Sequence, residues 1–179
     1  MLSRVQNVEM PAVPFSAPPS ILNGIISPQR KWNTAILDLN RVKKLKSIMG
    51  TTVNDVLLAI CAGALRRYLL EKEKLPNRSL VSMVPISTRS KDGGGSGNQI
   101  ANMLVQIATN VVDPVERLEV IHANTMRGKV YQDAVGASAL SNMAELVPFG
   151  LANQATRIYS RYQIAKIHNP VYNLSLIHI

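Results

Sequence analysis

The chain has 179 residues, of which 46% are hydrophobic and 17% charged, and these proportions fit a globular protein and exclude a disordered one. Twenty Lys and Arg residues against eleven Asp and Glu give a formal net charge of +9. This charge favours polyanionic partners such as nucleic acid, an anionic membrane surface or a phosphorylated small molecule, without choosing among them. Because only 4% of the residues are aromatic, no stacking platform for bases is visible.

The first twenty residues lack the apolar core of a signal peptide, and no uninterrupted apolar run of about 18 residues occurs. We therefore expect a cytoplasmic chain whose membrane contact would be peripheral. The single cysteine, Cys61, excludes a disulfide framework and a cysteine-based zinc site. Since Cys61 lies in an apolar stretch, where burial raises the pKa of a thiol, we expect it to pack in the core and not to react.

The chain opens with a proline-rich stretch that predicts a linker or crossover over residues 1–20. A strand is predicted for residues 32–39, and a short helix follows over 41–49. Gly50 suits the left-handed end of that helix. The helix carries a dense basic cluster, which we interpret as a solvated face: Arg41, Lys43, Lys44 and Lys46.

A long apolar helix begins after Thr51-Thr52, either of which can cap it, and Asp55 places negative charge against the positive end of its dipole. Capping explains Asp55 better than it explains Asn54. The spacing predicts one buried face for this helix, made of Val53, Leu57, Ile60, Ala64 and Tyr68 and widened by Cys61, Leu65 and Leu69.

Two strands are predicted over residues 79–87 and 98–109. The glycine-rich segment between them, 89–97, is interpreted as a flexible connection. It is not a phosphate-binding loop, because no Gly-Lys-Ser/Thr follows and the next segment is strand-like.

Asp113-Pro-Val-Glu116 predicts the start of a helix that runs to about Tyr131. Its predicted buried residues are Val115, Leu118, Ile121, His122 and Thr125. We interpret His122 as a structural histidine with a satisfied hydrogen bond, since no second histidine follows at i+4 and no cysteine is near. A last helical region covers 139–163. The alternation of strands and helices predicts an α/β fold, a mixed sheet covered by helices.

A complete catalytic set is missing from the sequence. The three histidines, His122, His168 and His178, lie in no recognisable catalytic motif, and neither a Gly-x-Ser-x-Gly elbow nor a His-Glu-x-x-His motif occurs. We therefore predict no catalytic residue and no metal site in this chain.

Several motifs in order resemble the C-terminal half of the bacterial wax ester synthase/diacylglycerol acyltransferase family. They are Leu22-Asn23, Thr52-Val-Asn-Asp-Val56, Gly63-Ala-Leu-Arg-Arg-Tyr-Leu69, Val84-Pro-Ile-Ser-Thr-Arg89, Gly97-Asn98 and Asp113-Pro-Val-Glu-Arg117. The resemblance covers residues 21–174, the expected acyltransferase C-terminal domain. Residues 175–179 depart from the family pattern and are expected to be an atypical tail.

The resemblance implies one half of a chloramphenicol acetyltransferase-like fold and an acyl-CoA-dependent O-acyltransferase, with acyl-CoA as co-substrate and no cofactor. The acceptor would be diacylglycerol or a long-chain alcohol, and the product triacylglycerol or a wax ester. In that family the base is a histidine of a His-His-x-x-x-Asp-Gly motif in the N-terminal half, which this chain lacks. We therefore expect the chain to need that half for activity, and to act at the inner membrane or lipid-droplet surface.

The resemblance also implies that Asn54-Asp55 lies near the active site, and we hypothesise that four residues support the active site without moving protons: Asn54, Asp55, Arg89 and Asn98. In this interpretation Asp55 pairs with a cation such as Arg89. Capping alone is the alternative for Asn54 and Asp55. Two other functions stay open: a condensation-domain-like acyltransferase module, and a basic nucleic-acid-binding module, although the chain has no recognisable recognition helix and no nucleic-acid partner is expected.

Overall fold

The computed structural model describes residues 12, 13, 15–23, 28, 29, 32, 34–87 and 100–135. A single 3-10 turn, Ile21–Asn23, is followed by helices α1 (Leu39–Met49) and α2 (Val53–Glu71), strands β1 (Val81–Ser87) and β2 (Ile100–Gln106), and helix α3 (Pro114–Val135). This architecture confirms the predicted α/β class. Several predictions lie outside the described residues: most of the linker, the glycine-rich segment with Arg89, Asn98, the last helical region, His168, His178 and the tail.

Both helices predicted in the first half of the chain are present, and α1 begins two residues earlier than predicted, at Leu39. Asp38 caps α1, and one of its carboxylate oxygens accepts from the Asn40 amide at 2.8 Å. Thr52 caps α2 in a reciprocal capping box with Asp55. Gly50 ends α1 with a φ of 63°, which glycine adopts without strain. The axes of α1 and α2 differ in direction by 103° across this junction.

The strand predicted over residues 32–39 is wrong. Residues 34–38 form no strand, and α1 begins at Leu39. Trp32 is 86% exposed and Ile36 is fully exposed, so neither packs against a sheet. A row of bulky residues favours a strand, but strand formation also needs a partner with which to form hydrogen bonds. The two-stranded sheet of the described residues contains β1 and β2 only.

β1 and β2 form an antiparallel ladder in which Val81 pairs with Gln106 and Ser87 with Ile100. Both strands are shorter than predicted. Beyond the ladder, the Ala108 amide donates to the Ser79 hydroxyl at 2.8 Å, and the Leu80 amide donates to the Thr109 hydroxyl at 3.0 Å. Ala108 has a φ of 51°, which turns the chain out of extended geometry and explains why side chains replace the backbone partners here.

Helix α3 packs against both α2 and β2, so the hairpin and the two long helices share one core. Asp113 caps α3 as predicted, because one of its carboxylate oxygens accepts from the amides of Val115 and Glu116. The main hydrophobic cluster contains Leu58, Ala62, Leu69, Leu80, Val84, Met103, Val105, Ile107, Ala108, Val111, Val120 and Ile121. Of the residues predicted to be buried on α3, Leu118, Ile121 and Thr125 are buried and Val115 is exposed.

The face of α2 predicted to be buried is partly wrong. The buried residues of α2 are Asp55, Val56, Leu58, Ala62 and Leu69. Ile60 and Tyr68, which were placed in the core, are 43% and 45% exposed. Cys61 is exposed as well, although partial burial still raises the pKa of its thiol. Because α2 is apolar around much of its circumference, spacing alone does not select the face that contacts the hairpin and α3.

Candidate functional site

Asp55 is the centre of a polar cluster at the junction of α2 and α3. Its carboxylate accepts hydrogen bonds from the backbone amide of Thr52 at 2.9 Å and from the Thr52 hydroxyl at 2.8 Å. On α3, the Thr125 hydroxyl donates to its Oδ1 at 2.8 Å, and Nδ1 of His122 lies 2.8 Å from its Oδ2. Four groups, from the N-cap of α2 and from α3, therefore converge on the carboxylate of Asp55, a residue that is only 1% exposed.

The surroundings keep Asp55 ionised. Burial by itself would raise the pKa of this carboxyl, but the hydrogen bonds from His122, Thr52 and Thr125 outweigh burial and hold the pKa below its ordinary value. A carboxylate with a lowered pKa is a poor proton acceptor at neutral pH and a good hydrogen-bond acceptor. Asp55 is thus suited to orienting the groups around it.

His122 is oriented by this contact. Since an ionised carboxylate can only accept, Nδ1 of His122 carries a hydrogen and donates a hydrogen bond to Oδ2 of Asp55. In the neutral imidazole Nε2 then holds a lone pair, and among the described residues it has no hydrogen-bond partner. The side chain of His122 is 31% exposed, while the Asp55 side chain is 2% exposed. One ring nitrogen of His122 therefore has the hydrogen bond expected of a structural histidine, but His122 lies at the edge of the core and not inside it, and its structural role stays a prediction.

Of the four residues predicted to support the active site, the structure describes two, Asn54 and Asp55. Asp55 lies in the polar cluster, whereas Asn54 is half-buried and its side chain forms no hydrogen bond with another described residue. Arg89 and Asn98 lie outside the described residues, so the pairing of Asp55 with Arg89 stays a prediction. His122 and Thr125 were not predicted to contact Asp55. A signal was available in the sequence: His122 and Thr125 are polar residues at i and i+3 on the predicted buried face of α3. Buried polar side chains need hydrogen-bond partners.

The loop between β2 and α3 is held in place by hydrogen bonds from two arginine side chains. Arg117 is 7% exposed, and its guanidinium donates to the carbonyls of Val111 at 3.0 and 3.1 Å and of Val112 at 2.7 Å. From α2, Arg66 donates to the Thr109 carbonyl at 2.7 Å. Burial and the nearby Arg66 charge lower the pKa of Arg117. The two arginines hold this loop against α2 and α3 through backbone carbonyls.

Two family models match the chain in order. The model of the wax ester synthase/diacylglycerol acyltransferase catalytic domain matches residues 2–57, and the model of the WS/DGAT C-terminal domain matches residues 96–174. The chain belongs to the wax ester synthase/diacylglycerol acyltransferase family. The capped start of α2, with Asp55, falls within the first match, and His122 and Thr125 fall within the second. The polar cluster therefore joins the regions of the two family models.

Curated relatives and a solved structure agree with this membership. A protein of Mycobacterium tuberculosis (strain H37Rv) named as a diacylglycerol O-acyltransferase is 35% identical over 178 residues, which are 99% of this chain and 35% of the relative. One of Mycobacterium bovis with the same name is 41% identical over 145 residues. The wax ester synthase/diacylglycerol acyltransferase from Marinobacter aquaeolei VT8 aligns with a TM-score of 0.59 and 29% identity, covering 88% of this chain and 34% of that one.

The chain shares the fold of its relatives but spans only part of their length. The structural alignment confirms the expected fold, that of part of a CoA-dependent acyltransferase-like enzyme. The chain spans about a third of the length of the curated relatives it matches, at 35% and 32% for the two mycobacterial proteins. The predicted boundary between a linker at 1–20 and a domain at 21–174 stays a prediction, and the catalytic-domain match includes residues on both sides of it.

No single helix among the described residues is long and apolar enough to cross a membrane. Helices α1 and α2 meet the length and composition criteria only when they are taken together, as a bent pair.

Proposed function

We propose that this chain forms part of an acyl-CoA-dependent O-acyltransferase that makes triacylglycerol or wax esters from diacylglycerol or a long-chain alcohol. The observation that carries the proposal is the 35% identity, over 99% of the chain, to a protein named as a diacylglycerol O-acyltransferase. The ordered matches to two models of one family support it further. Because the chain spans about a third of that relative, activity and substrates are proposed for an enzyme that includes the remaining part.

In the proposed reaction the acceptor hydroxyl loses its proton to a base, and its oxygen attacks the thioester carbon of acyl-CoA. The ester bond forms, the bond between the acyl carbon and sulfur breaks, and coenzyme A leaves as a thiol once it has taken up a proton. Asp55 is unsuited to be the base, because its lowered pKa makes the carboxylate a weak proton acceptor and its oxygens already accept four hydrogen bonds. We assign the base to the histidine motif that the family carries in its N-terminal half.

The role proposed for this chain is architectural. Asp55 fixes the start of α2 against α3, and so positions the surfaces that these helices present to the rest of the enzyme. We further propose that acyl-CoA, the lipid acceptor and the N-terminal half are its partners, and that the enzyme works peripherally at the inner membrane or at lipid droplets.

The test is reconstitution. The purified 179-residue chain is assayed for transfer from radiolabelled acyl-CoA to diacylglycerol or hexadecanol, alone and mixed with the N-terminal half of the M. tuberculosis relative. We expect no product from either part alone and measurable ester from the mixture. Ester formed by the isolated chain would contradict the assignment of the base to the other half.

A variant decides whether His122 is that base instead. His122→Asn keeps a donor near the position of Nδ1 but has no second ring nitrogen to accept a proton. In the reconstituted mixture we expect the rate of transfer to stay within about threefold of the unmodified chain, since general-base catalysis is worth roughly a hundredfold or more. A loss of that larger size in a folded variant would make His122 the proton acceptor.

A further inference from the structure

The outward side of α1 is both basic and apolar. Val42 is the buried residue of this helix and packs in a cluster with Val56 and Leu118. The exposed residues Arg41, Lys43, Lys44, Leu45 and Ile48 make up what we call the α1 outer face. Four of them, Arg41, Lys44, Leu45 and Ile48, follow the spacing of one helical stripe. Leu45 is 41% exposed and Ile48 70% exposed, so cationic and apolar side chains alternate on one surface.

The segment that leads into α1 extends this character. Trp32, Ile36 and Leu37 are 86%, 100% and 47% exposed. Large apolar side chains exposed singly are ordinary, but here three precede a helix whose outer face adds two more. Tryptophan is also the residue type enriched where a protein meets the boundary between lipid and water.

The charges of the α1 outer face are unbalanced. Helix α1 contains no Asp or Glu, and its sequence, Leu-Asn-Arg-Val-Lys-Lys-Leu-Lys-Ser-Ile-Met, carries four cations. Within the described part of the chain, Arg41, Lys43 and Lys44 form no ion pair. A surface with unpaired cations and interspersed apolar groups complements an anionic surface that has an apolar layer beneath it.

We propose that the α1 outer face docks the protein on an anionic lipid surface. The ammonium and guanidinium groups contact lipid phosphates, and Leu45 and Ile48 insert between the headgroups while their charged neighbours remain at the surface. Trp32 and Ile36 add to the inserted area. Nucleic acid would engage the cations but leave the five exposed apolar side chains in water, so the composition favours lipid. The inference rests on the proposed function for its lipid setting, but the binding is measured without acyl transfer.

The experiment measures the fraction of the 179-residue chain that sediments with lipid vesicles. The vesicles consist of phosphatidylcholine alone or of phosphatidylcholine with 30% phosphatidylglycerol, a proportion chosen for the assay. We expect binding to the anionic vesicles that weakens with salt. Arg41→Gln/Lys43→Gln/Lys44→Gln should lower the affinity roughly a hundredfold, at about fivefold for each cation. The control, Lys72→Gln/Lys74→Gln/Lys129→Gln, removes the same charge from exposed positions on other surfaces and should lower it less than about threefold.

A second variant and a spectroscopic readout separate docking from net charge. Leu45→Gln/Ile48→Gln keeps every cation and should lower affinity about tenfold. Trp32 is the only tryptophan of the chain, so its emission should shift to the blue and be quenched by brominated lipid. Absent vesicle binding, equal losses in both triple variants, or tighter binding to RNA than to anionic vesicles would each overturn the proposal. Loss of ester synthesis with vesicle binding intact would count against the proposed function alone.

Discussion

At the scale of single residues, Glu73 occupies a backbone conformation that favours glycine. It follows the end of α2 with a φ of 54°, and its amide donates to the Leu70 carbonyl at 2.9 Å. The next amide, of Lys74, donates to the Leu69 carbonyl at 2.9 Å. These two bonds form the Schellman arrangement, which closes a helix through a left-handed residue. Gly50 occupies a left-handed position at the end of α1, with a φ of 63°.

Exchanging the residue types at these two ends should have opposite effects. Glu73→Gly removes a side chain from a strained position and should raise the free energy of unfolding by about 0.5 to 1 kcal/mol. Gly50→Ala introduces that strain and should lower it by about 1 kcal/mol; the space itself is open, since no atom lies within 4 Å of the added Cβ. Urea denaturation followed by circular dichroism gives both values. A destabilising Glu73→Gly would contradict the argument.

The charge of Asp55 predicts how stability depends on pH. The pKa of Asp55 in the folded chain lies below its ordinary value of 3.8. The stabilisation by the ionised carboxylate is therefore fully present above about pH 5, and it is lost as the pH falls through 3.8 and then through the pKa of the folded state. Asp55→Asn should cost about 1 to 3 kcal/mol at pH 7, and the difference from the unmodified chain should shrink below about pH 4. Urea denaturation at pH 7, 5 and 3.5 measures it.

Asp38→Asn is the matched control, because Asp38 is an exposed helix cap and asparagine caps as well as aspartate. Its cost at pH 7 should stay below about 0.5 kcal/mol. A difference between Asp55→Asn and the unmodified chain that remains constant down to pH 3.5 would show that the cluster does not depend on the charge of Asp55.

At the scale of elements, the polar cluster joins α2 to α3. Asp55 lies in the first turn of α2, and its partners His122 and Thr125 lie 67 and 70 residues later in the chain. The neighbouring contacts between the two helices are apolar, and apolar packing alone defines their relative position less sharply. The directional hydrogen bonds of the cluster fix how α2 and α3 are aligned. Removing one partner leaves a buried charge with fewer donors, which is why the cost should exceed that of a surface hydrogen bond.

Two substitutions of His122 test this account of the helix junction. His122→Ala leaves Oδ2 of Asp55 without its donor from α3 and should lower the free energy of unfolding by about 1 to 2 kcal/mol. His122→Asn can still donate from a similar position and should lower it by less than about 0.5 kcal/mol. Thermal or urea denaturation of the two variants decides the matter. Equal losses would mean that the imidazole contributes through packing and not through its hydrogen bond.

The close approach of α2 to Arg117 gives a second prediction. A Cβ at Gly63 would lie 3.0 Å from Nη1 of Arg117, whose guanidinium is fastened to the carbonyls of Val111 and Val112. Gly63→Ala should therefore lower stability by about 1 kcal/mol, even though alanine is the better helix former by about that amount. Gly128→Ala is the control on α3: its nearest neighbour is Sδ of Met103 at 3.3 Å, in a flexible side chain that can adjust.

For that control we expect a free energy of unfolding equal to or above that of the unmodified chain. A gain in stability in Gly63→Ala would show that Arg117 is free to move, and hence that its hydrogen bonds to the loop before α3 are replaceable.

At the scale of the whole molecule, the features predicted correctly are local in sequence. Thr52, Asp113 and Gly50 mark helix ends because each satisfies backbone groups within four residues of itself. The buried face of α2 was predicted only in part, and the contacts of Asp55 with His122 and Thr125 were not predicted, since both depend on where α3 lies after the chain has passed through the hairpin. The strand predicted at 32–39 failed for the same reason, because a strand is defined by a distant partner.

Family resemblance supplied what local patterns do not contain. The motif order indicated the fold and the acyltransferase family, and the family models and the Marinobacter structure confirm both. It indicated Asp55 as a site residue, whereas the proposed pairing with Arg89 came from charge alone. The described contacts of Asp55 are with His122, Thr52 and Thr125, which no comparison of charges in the sequence would rank above an arginine.

The antiparallel ladder of β1 and β2 and the junction of α2 with α3 both connect the chain before residue 88 with the chain after residue 99. A proteolytic nick between these positions would leave two polypeptides that share every one of those contacts. We expect them to remain associated through size-exclusion chromatography and to separate in urea. Association after the nick would show that the strand ladder and the junction of α2 with α3 hold the two parts together without a covalent link between them.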